Sequence, residues 1–249
     1  MEYFLHIKKL KAMSYLHYNT SKLRVIINCT LTMIIVSACT LTGTLYDDDF
    51  RNIRQVQPTP ANMPKLTITV EKANVSIGIF GSGTISINWG DGSHVQTHED
   101  LKNITYFNRS GSGSRTITIS GDNITFLDCS DNQVTNINVN EIISLTQLLC
   151  SHNELTSLNV SYNIHLVRLI CHRNRLRNLR VDSNESLELL NCSHNSMQGD
   201  ALTGLLASLH GNEITSGKKT ISINNNNGTP SQPSRTQAEN RGWVFEEFE

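Results

Sequence analysis

An excess of charge of either sign is missing from this sequence. Its 249 residues carry 21 Lys and Arg against 22 Asp and Glu, so no general pull toward nucleic acid or anionic lipid is expected. A long apolar run is missing too. The stretch from Val25 to Ala38 has fourteen residues, too few for a stable membrane-spanning helix. No Ser-His-Asp set, paired carboxylates or glycine-rich phosphate loop stands out, so the chain is not expected to be an enzyme. Apolar residues make up only 38%, which argues against helices around one thick core. Asn, Ser and Thr are abundant instead, and they suit many short strands and turns.

What the sequence does have is a period. Leu127, Leu148, Leu169 and Leu190 fall 21 residues apart, as do Cys129, Cys150, Cys171 and Cys192. Asn132, Asn153, Asn174 and Asn195 follow each cysteine by three, and Ile124, Leu145, Leu166 and Leu187 precede each leucine by three. Repetition without insertion over four copies means a solenoid. In each copy Leu-x-Cys reads as a short parallel strand with both side chains inward. Val134, Leu155 and Leu176, and their partners three and five positions on, fill the rest of the coil. The asparagine turns the chain off the strand, and its amide can satisfy backbone groups otherwise buried and unpaired. A single coil buries too little to stand alone, so stacking has to stabilise it.

This pattern resembles leucine-rich repeats. The 21-residue form with cysteine on the strand is similar to repeats of internalins and of Bacteroidetes surface proteins. In-register coils would space the four cysteines about 4.8 Å apart, with parallel directions that suit disulfide geometry poorly. Free, buried thiols acting as small hydrophobes are therefore expected. The rivals are a disulfide framework, which secretion favours, and a metal site, disfavoured because zinc ligands surround a point and not a line. No metal or other cofactor is expected. Outward residues Phe126, Asp128, Gln147, Leu149, Arg168, Ile170, His172 and Asn191 form the candidate binding face. His152 and His194 share the position two after the cysteine and His172 lies on a strand, so the three could line one edge, but they do not occupy one equivalent position, and exposed loop histidines are the better reading.

Ahead of the repeats, Lys8, Lys9, Lys11, Lys22 and Arg24 precede the apolar run. A basic flank, short apolar core and small residues at its end read as a secretory signal. The run ends Val36-Ser37-Ala38-Cys39, which resembles the lipobox of bacterial lipoproteins. That implies cleavage before Cys39 and a lipid on it. The alternatives are an ordinary signal peptide with an incidental cysteine, or a short buried helix. A start at Met13 gives the signal a more usual length than Met1. Residues 1–38 are thus expected as signal and 39–63 as a solvated tether with the acidic run Asp47-Asp48-Asp49. Acidic residues behind a lipidated cysteine resemble Bacteroidetes surface-export signals, which implies an outer-membrane or cell-surface location.

From 64 to 121 the period becomes two. Leu66, Ile68 and Val70, then Val75, Ile77 and Ile79, then Ile85, Ile87 and Trp89, and last Ile117 and Ile119 alternate with polar residues. Gly81-Ser82-Gly83 and Gly90-Asp91-Gly92 are expected to make hairpin turns, giving a small antiparallel sandwich. The run Asn88-Trp89-Gly90-Asp91-Gly92 resembles the signature of polycystic-kidney-disease-type (PKD) domains, implying an immunoglobulin-like extracellular module. Asp91 is expected to bond turn amides. Residues 122–198 hold the repeats, and 199–249 form an α/β cap. There Asp200 caps a helix carrying Leu202, Leu205, Leu206 and Leu209, Ile221-x-Ile223-x-x-Asn226 repeats the strand, and Ser234 to Asn240 makes a second helix.

The expected fold is mainly β with some α: a PKD-like β-sandwich, then a short leucine-rich-repeat solenoid with capping rungs. The expected function is a non-catalytic envelope lipoprotein. It would bind a protein or glycan, and no nucleic acid, through its repeat face or its sandwich. The alternative is a lipid-anchored spacer in an envelope complex, with no ligand of its own.

Overall fold

The computed structural model describes residues 63–111, 113–214 and 217–247, all within one compact unit. The signal, Cys39 and the tether up to residue 62 lie outside them. Five strands come first: β1 (Lys65–Val70), β2 (Asn74–Asn88), β3 (Gln96–Glu99), β4 (Thr105–Ser110) and β5 (Arg115–Asp128). In β1 the alternation works as read, with Leu66, Ile68 and Val70 buried. β2 departs from expectation. It is one fifteen-residue strand where two strands and a hairpin turn were expected. Gly81-Ser82-Gly83 is a bulge in it, and pairing with β5 shifts register there. Gly81 serves close approach and not reversal: a Cβ on it would lie 2.5 Å from the Asn123 carbonyl oxygen. The first half of β2 pairs with β4 and the second with β3.

β5 also corrects the sequence reading. The border expected between 121 and 122 falls inside this unbroken strand. Its first half pairs antiparallel with β1, Lys65↔Ser120 through Val70↔Arg115, and its last residues pair parallel with β7 (Gln147–Leu149). The antiparallel strands and the repeats therefore share one mixed sheet and one contiguous core, and no sandwich separates from the rest. The physical reason lies in the open end that a stack of coils presents. β1 pairs on its other side with β6 (Val134–Asn138), the return segment of the first repeat. The antiparallel strands thus cover that end, as arrays of this kind need.

Beyond Asp128, β6 apart, the sheet is a parallel ladder. β7 is followed by β8 (Arg168–Ile170), β9 (Leu189–Asn191), β10 (Lys219–Ser222) and β11 (Trp243–Phe245), neighbours in that order. Leu127, Leu148, Leu169, Leu190 and Ile221 stand in register and are fully buried, each such side chain contributing about 1.5–3 kcal/mol. Two helices complete the last rungs, α1 (Gly199–Ser208) and α2 (Gln232–Asn240). Leu202, Leu205, Leu206 and Leu209 are buried. Asp200, expected as the cap of α1, sits in its first turn; the N-cap is Gln198, with no side-chain bond. There the carboxylate still faces the positive end of the helix dipole. Among the described residues no helix is long and apolar enough to cross a membrane.

Candidate functional site

The asparagines hold the ladder together. Asn174 Nδ2 donates to the Cys150 and Cys171 carbonyls at 2.8 and 3.1 Å, while its Oδ1 accepts the Leu155 N–H at 2.9 Å. Asn153 and Asn195 repeat this arrangement one rung away on either side. Asn226 does the same for the rung of Ile223. Each amide therefore ties two rungs by their backbones. Asn132, at the start, finds β2 in place of a preceding rung. It accepts the Ser76 N–H at 2.9 Å and donates to the Ser76 carbonyl at 2.8 Å.

A second asparagine column escaped the sequence reading. Asn163 and Asn184, also 21 apart, are fully buried and donate to Val139 and Ile142, and to Val160 and Asn163, at 2.8–3.0 Å. The period was the signal, but with only two copies it was faint. A third column is invisible by residue type. Asp131, His152, Arg173, His194 and Asn225 all hold φ of 51–60° at the turn off the strand, where a glycine would ordinarily mark the place.

Cys129, Cys150, Cys171 and Cys192 are free and fully buried. Burial raises all four thiols well above their usual range, that of Cys192 to about 12. A buried thiol that does not ionise is a poor nucleophile. In native protein at pH 8 these four positions are expected to resist iodoacetamide for hours and to react fully in denaturant. Peptide mapping checks this, and fast labelling of Cys150 or Cys171 in native protein would contradict it.

The histidines do approach one another. The His152 and His172 rings meet edge-on with centroids 5.1 Å apart, and Asn191 Nδ2 lies 3.3 Å from His172 Nδ1. Among the described residues no three His, Cys, Asp or Glu are placed to hold a metal ion. Partial burial depresses the pKa of His172, helped by His152, Arg173 and His194 and opposed by Asp131. His210, bonded to the Leu187 carbonyl at 2.7 Å, is also depressed by burial. Both imidazoles prefer the neutral form when folded, whereas the unfolded chain protonates near 6.5. Stability is therefore full above that pH and falls as pH drops below it, levelling off under the folded pKa values. A melting temperature that declines from pH 7.5 to 5.5, and declines less in His172→Gln/His210→Gln, is the expected result. An unchanged slope in that variant would refute it.

On the outward side of the sheet two rows run across the strands. One is Asp128, Leu149, Ile170, Asn191 and Ser222; the other is Phe126, Gln147, Arg168, Leu189 and Thr220. Not all of the expected face is open. Phe126 is only 6% exposed and stands beside Phe80 of β2; Asn191 is 4% exposed, its Oδ1 accepting from Ser193 and its Nδ2 turned to His172. Asp128, Gln147, Leu149, Ile170 and His172 are half-buried, and Arg168 is exposed.

The rows also continue where the sequence reading stopped them. Asp128 pairs with Gly78, and Gly78 with Tyr106 of β4, while Phe126 pairs with Phe80. The Tyr106 ring covers Gly78 so closely that a Cβ there would be 2.8 Å from it, and the hydroxyl donates to Asp128 at 2.9 Å. That bond and partial burial raise the tyrosine's pKa. Tyr106 is 52% exposed, Phe80 36% and Ile104 48%, so the aromatic end of the face is its most open part.

Asp91 lies apart from this face. It accepts the Ser93 N–H at 2.9 Å and Arg109 Nε at 2.7 Å, and the Ser93 side chain, Arg109 and the Ser93 N–H hold its carboxyl well below the usual range. A groove of about 540 Å³ beside α1 is lined by Arg177, Ser196, Gln198, Asp200 and neighbours, with no nucleophile paired to a base.

No family model and no curated protein matches this chain. Among solved structures it is similar to the functional domain of InlJ from Listeria monocytogenes, which includes a cysteine ladder. Identity there is 29% over 40% of this chain and 20% of that one, with a TM-score of 0.33.

Proposed function

We propose that this chain is a non-catalytic binding protein of the leucine-rich-repeat kind, held at the cell envelope by a lipid on Cys39. Its ligand is a protein or a glycan, and its repeat face is the binding surface. The observation that carries this reading is the outward strip through Leu149 and Ile170. It sets two half-buried aliphatic side chains next to each other on neighbouring strands of the sheet, the kind of surface repeat arrays offer to partners. The test compares ligand capture on glycan and protein arrays by wild type, Leu149→Asp and Ile170→Asp. Folded variants that bind as well as wild type would remove the repeat face from the account. If no ligand of either class is found, the spacer reading takes its place. The anchor is tested separately: labelling by a fatty-acid probe disappears in Cys39→Ala, and label that persists would refute the lipid.

A further inference from the structure

Resting on that reading of the face, we infer that its ligand is a neutral, linear glycan, anchored by a sugar ring stacked on Tyr106. The first argument is size. Asn191 and Ser222 are buried, so the open part of the row runs from Tyr106 to Ile170, four strand spacings or about 19 Å, and three outward positions per strand give a width of about 13 Å. Roughly 250 Å² is about a third of what a standard protein partner needs, about 800 Å² on each side. A linear ligand lying along the strip needs no more than this.

The second argument is what a linear ligand would meet. A peptide laid across the strands finds no free edge to pair with. The ladder's own amides are taken between rungs, as where Cys150 N–H bonds to the Ile170 carbonyl and Cys171 N–H to that of Asn191, each at 2.8 Å. Its backbone groups would press on Leu149 and Ile170 without partners, which is costly. A pyranose chain has the opposite cross-section, with apolar C–H faces in the middle and hydroxyls at the rim. Leu149 and Ile170 run down the centre of the strip, and beside them the Gln147 amide and the Ser130 hydroxyl are half-buried and uncharged, while Ser151 and Ser193 are buried. Arg168 is the one cation in the two rows, and the Asp128 carboxylate sets an opposite charge on the same face, so the strip offers little to a polyanion.

The third argument is Tyr106 itself. Gly78 leaves room for the ring to lie across β2, and Asp128 fixes its hydroxyl. One side of the ring is thereby seated and half the residue remains open to solvent. A ring already held in place loses little freedom when a ligand stacks on it. A bulkier residue at 78 would displace it.

The experiment presents the full chain with six-unit oligosaccharides of glucose, xylose and N-acetylglucosamine, sulfated and uronic-acid oligosaccharides, and a random peptide library, followed by calorimetry. At least one neutral hexasaccharide is expected to bind. Tyr106→Ala, checked for folding by circular dichroism, weakens it tenfold or more, and Tyr106→Phe weakens it less than threefold. Binding unchanged in Tyr106→Ala, or no neutral hexasaccharide bound at millimolar concentration, would overturn the inference. A peptide ligand lost in Leu149→Asp with no sugar bound would overturn it too, while leaving the binding face in place. Absence of every ligand class would sink both.

Discussion

Replacing Asn174 with alanine is expected to destabilise the protein by about 2–5 kcal/mol, a large fraction of a typical total of about 5–15 kcal/mol. The change leaves the buried Leu155 N–H without its acceptor and takes one of two donors from the carbonyls of Cys150 and Cys171, which keep Asn153 Nδ2 and Asn195 Nδ2. The unpaired N–H costs about 1–3 kcal/mol and each lost hydrogen bond about 0.5–1.5 kcal/mol. Asn163→Ala provides the contrast. Its Nδ2 also serves two carbonyls, but its buried Oδ1 accepts from no protein group, and the Val139 and Ile142 carbonyls keep the N–H groups of Ile142 and Leu145, so truncation removes two hydrogen bonds and leaves no backbone N–H unpaired. A loss of about 1–3 kcal/mol follows. Denaturant titration with the slope monitored checks both; equal losses at 163 and 174 would contradict the two-rung role of the Asn174 column.

The second large effect is expected at Gly90. It has φ of +68°, and a Cβ on it would lie 2.2 Å from the Thr116 carbonyl oxygen of β5. Gly90→Ala therefore combines left-handed strain of about 1–2 kcal/mol with a backbone collision of about 1–3 kcal/mol. Gly92 separates the two terms. Its φ is +79°, but nothing lies within 4 Å of the added carbon, so Gly92→Ala carries the strain alone. Equal melting temperatures for the two variants would show that β5 does not press on this turn as described.

These two sites mark how far the sequence could be read. The 21-residue period announced the leucines, cysteines and first asparagine column because each position recurs four times and each has one job. Gly90-Asp91-Gly92 was legible as a turn because positive φ demands glycine. The bulge at Gly81 looked the same in sequence. What distinguishes it is β5 lying against it, a long-range fact that local pattern does not carry. The same holds for the candidate face. Leu149 and Ile170 follow from strand alternation, but Tyr106 joins them only through its pairing with Gly78 and, across it, Asp128. No spacing in the chain announces that row. His152 and Arg173 hide a left-handed turn behind side chains that ordinarily avoid it, since the ladder bonds on both sides over-determine the backbone there.

The central claim is that antiparallel strands and ladder are one sheet and one core, carrying one face. The chain supplies its own reporters at the two ends. Trp89 is buried among the antiparallel strands with Nε1 bonded to Gln96, and Trp243 is buried in the last rung with Nε1 bonded to the His210 carbonyl. The decisive measurement is equilibrium urea unfolding of Trp89→Phe and Trp243→Phe, each followed in the same sample by its remaining tryptophan and by far-ultraviolet circular dichroism. Coincident transitions in both variants are the predicted result. A Trp89 transition that separates from the loss of secondary structure, with the Trp243 rung still folded, would show two independent units and contradict the account.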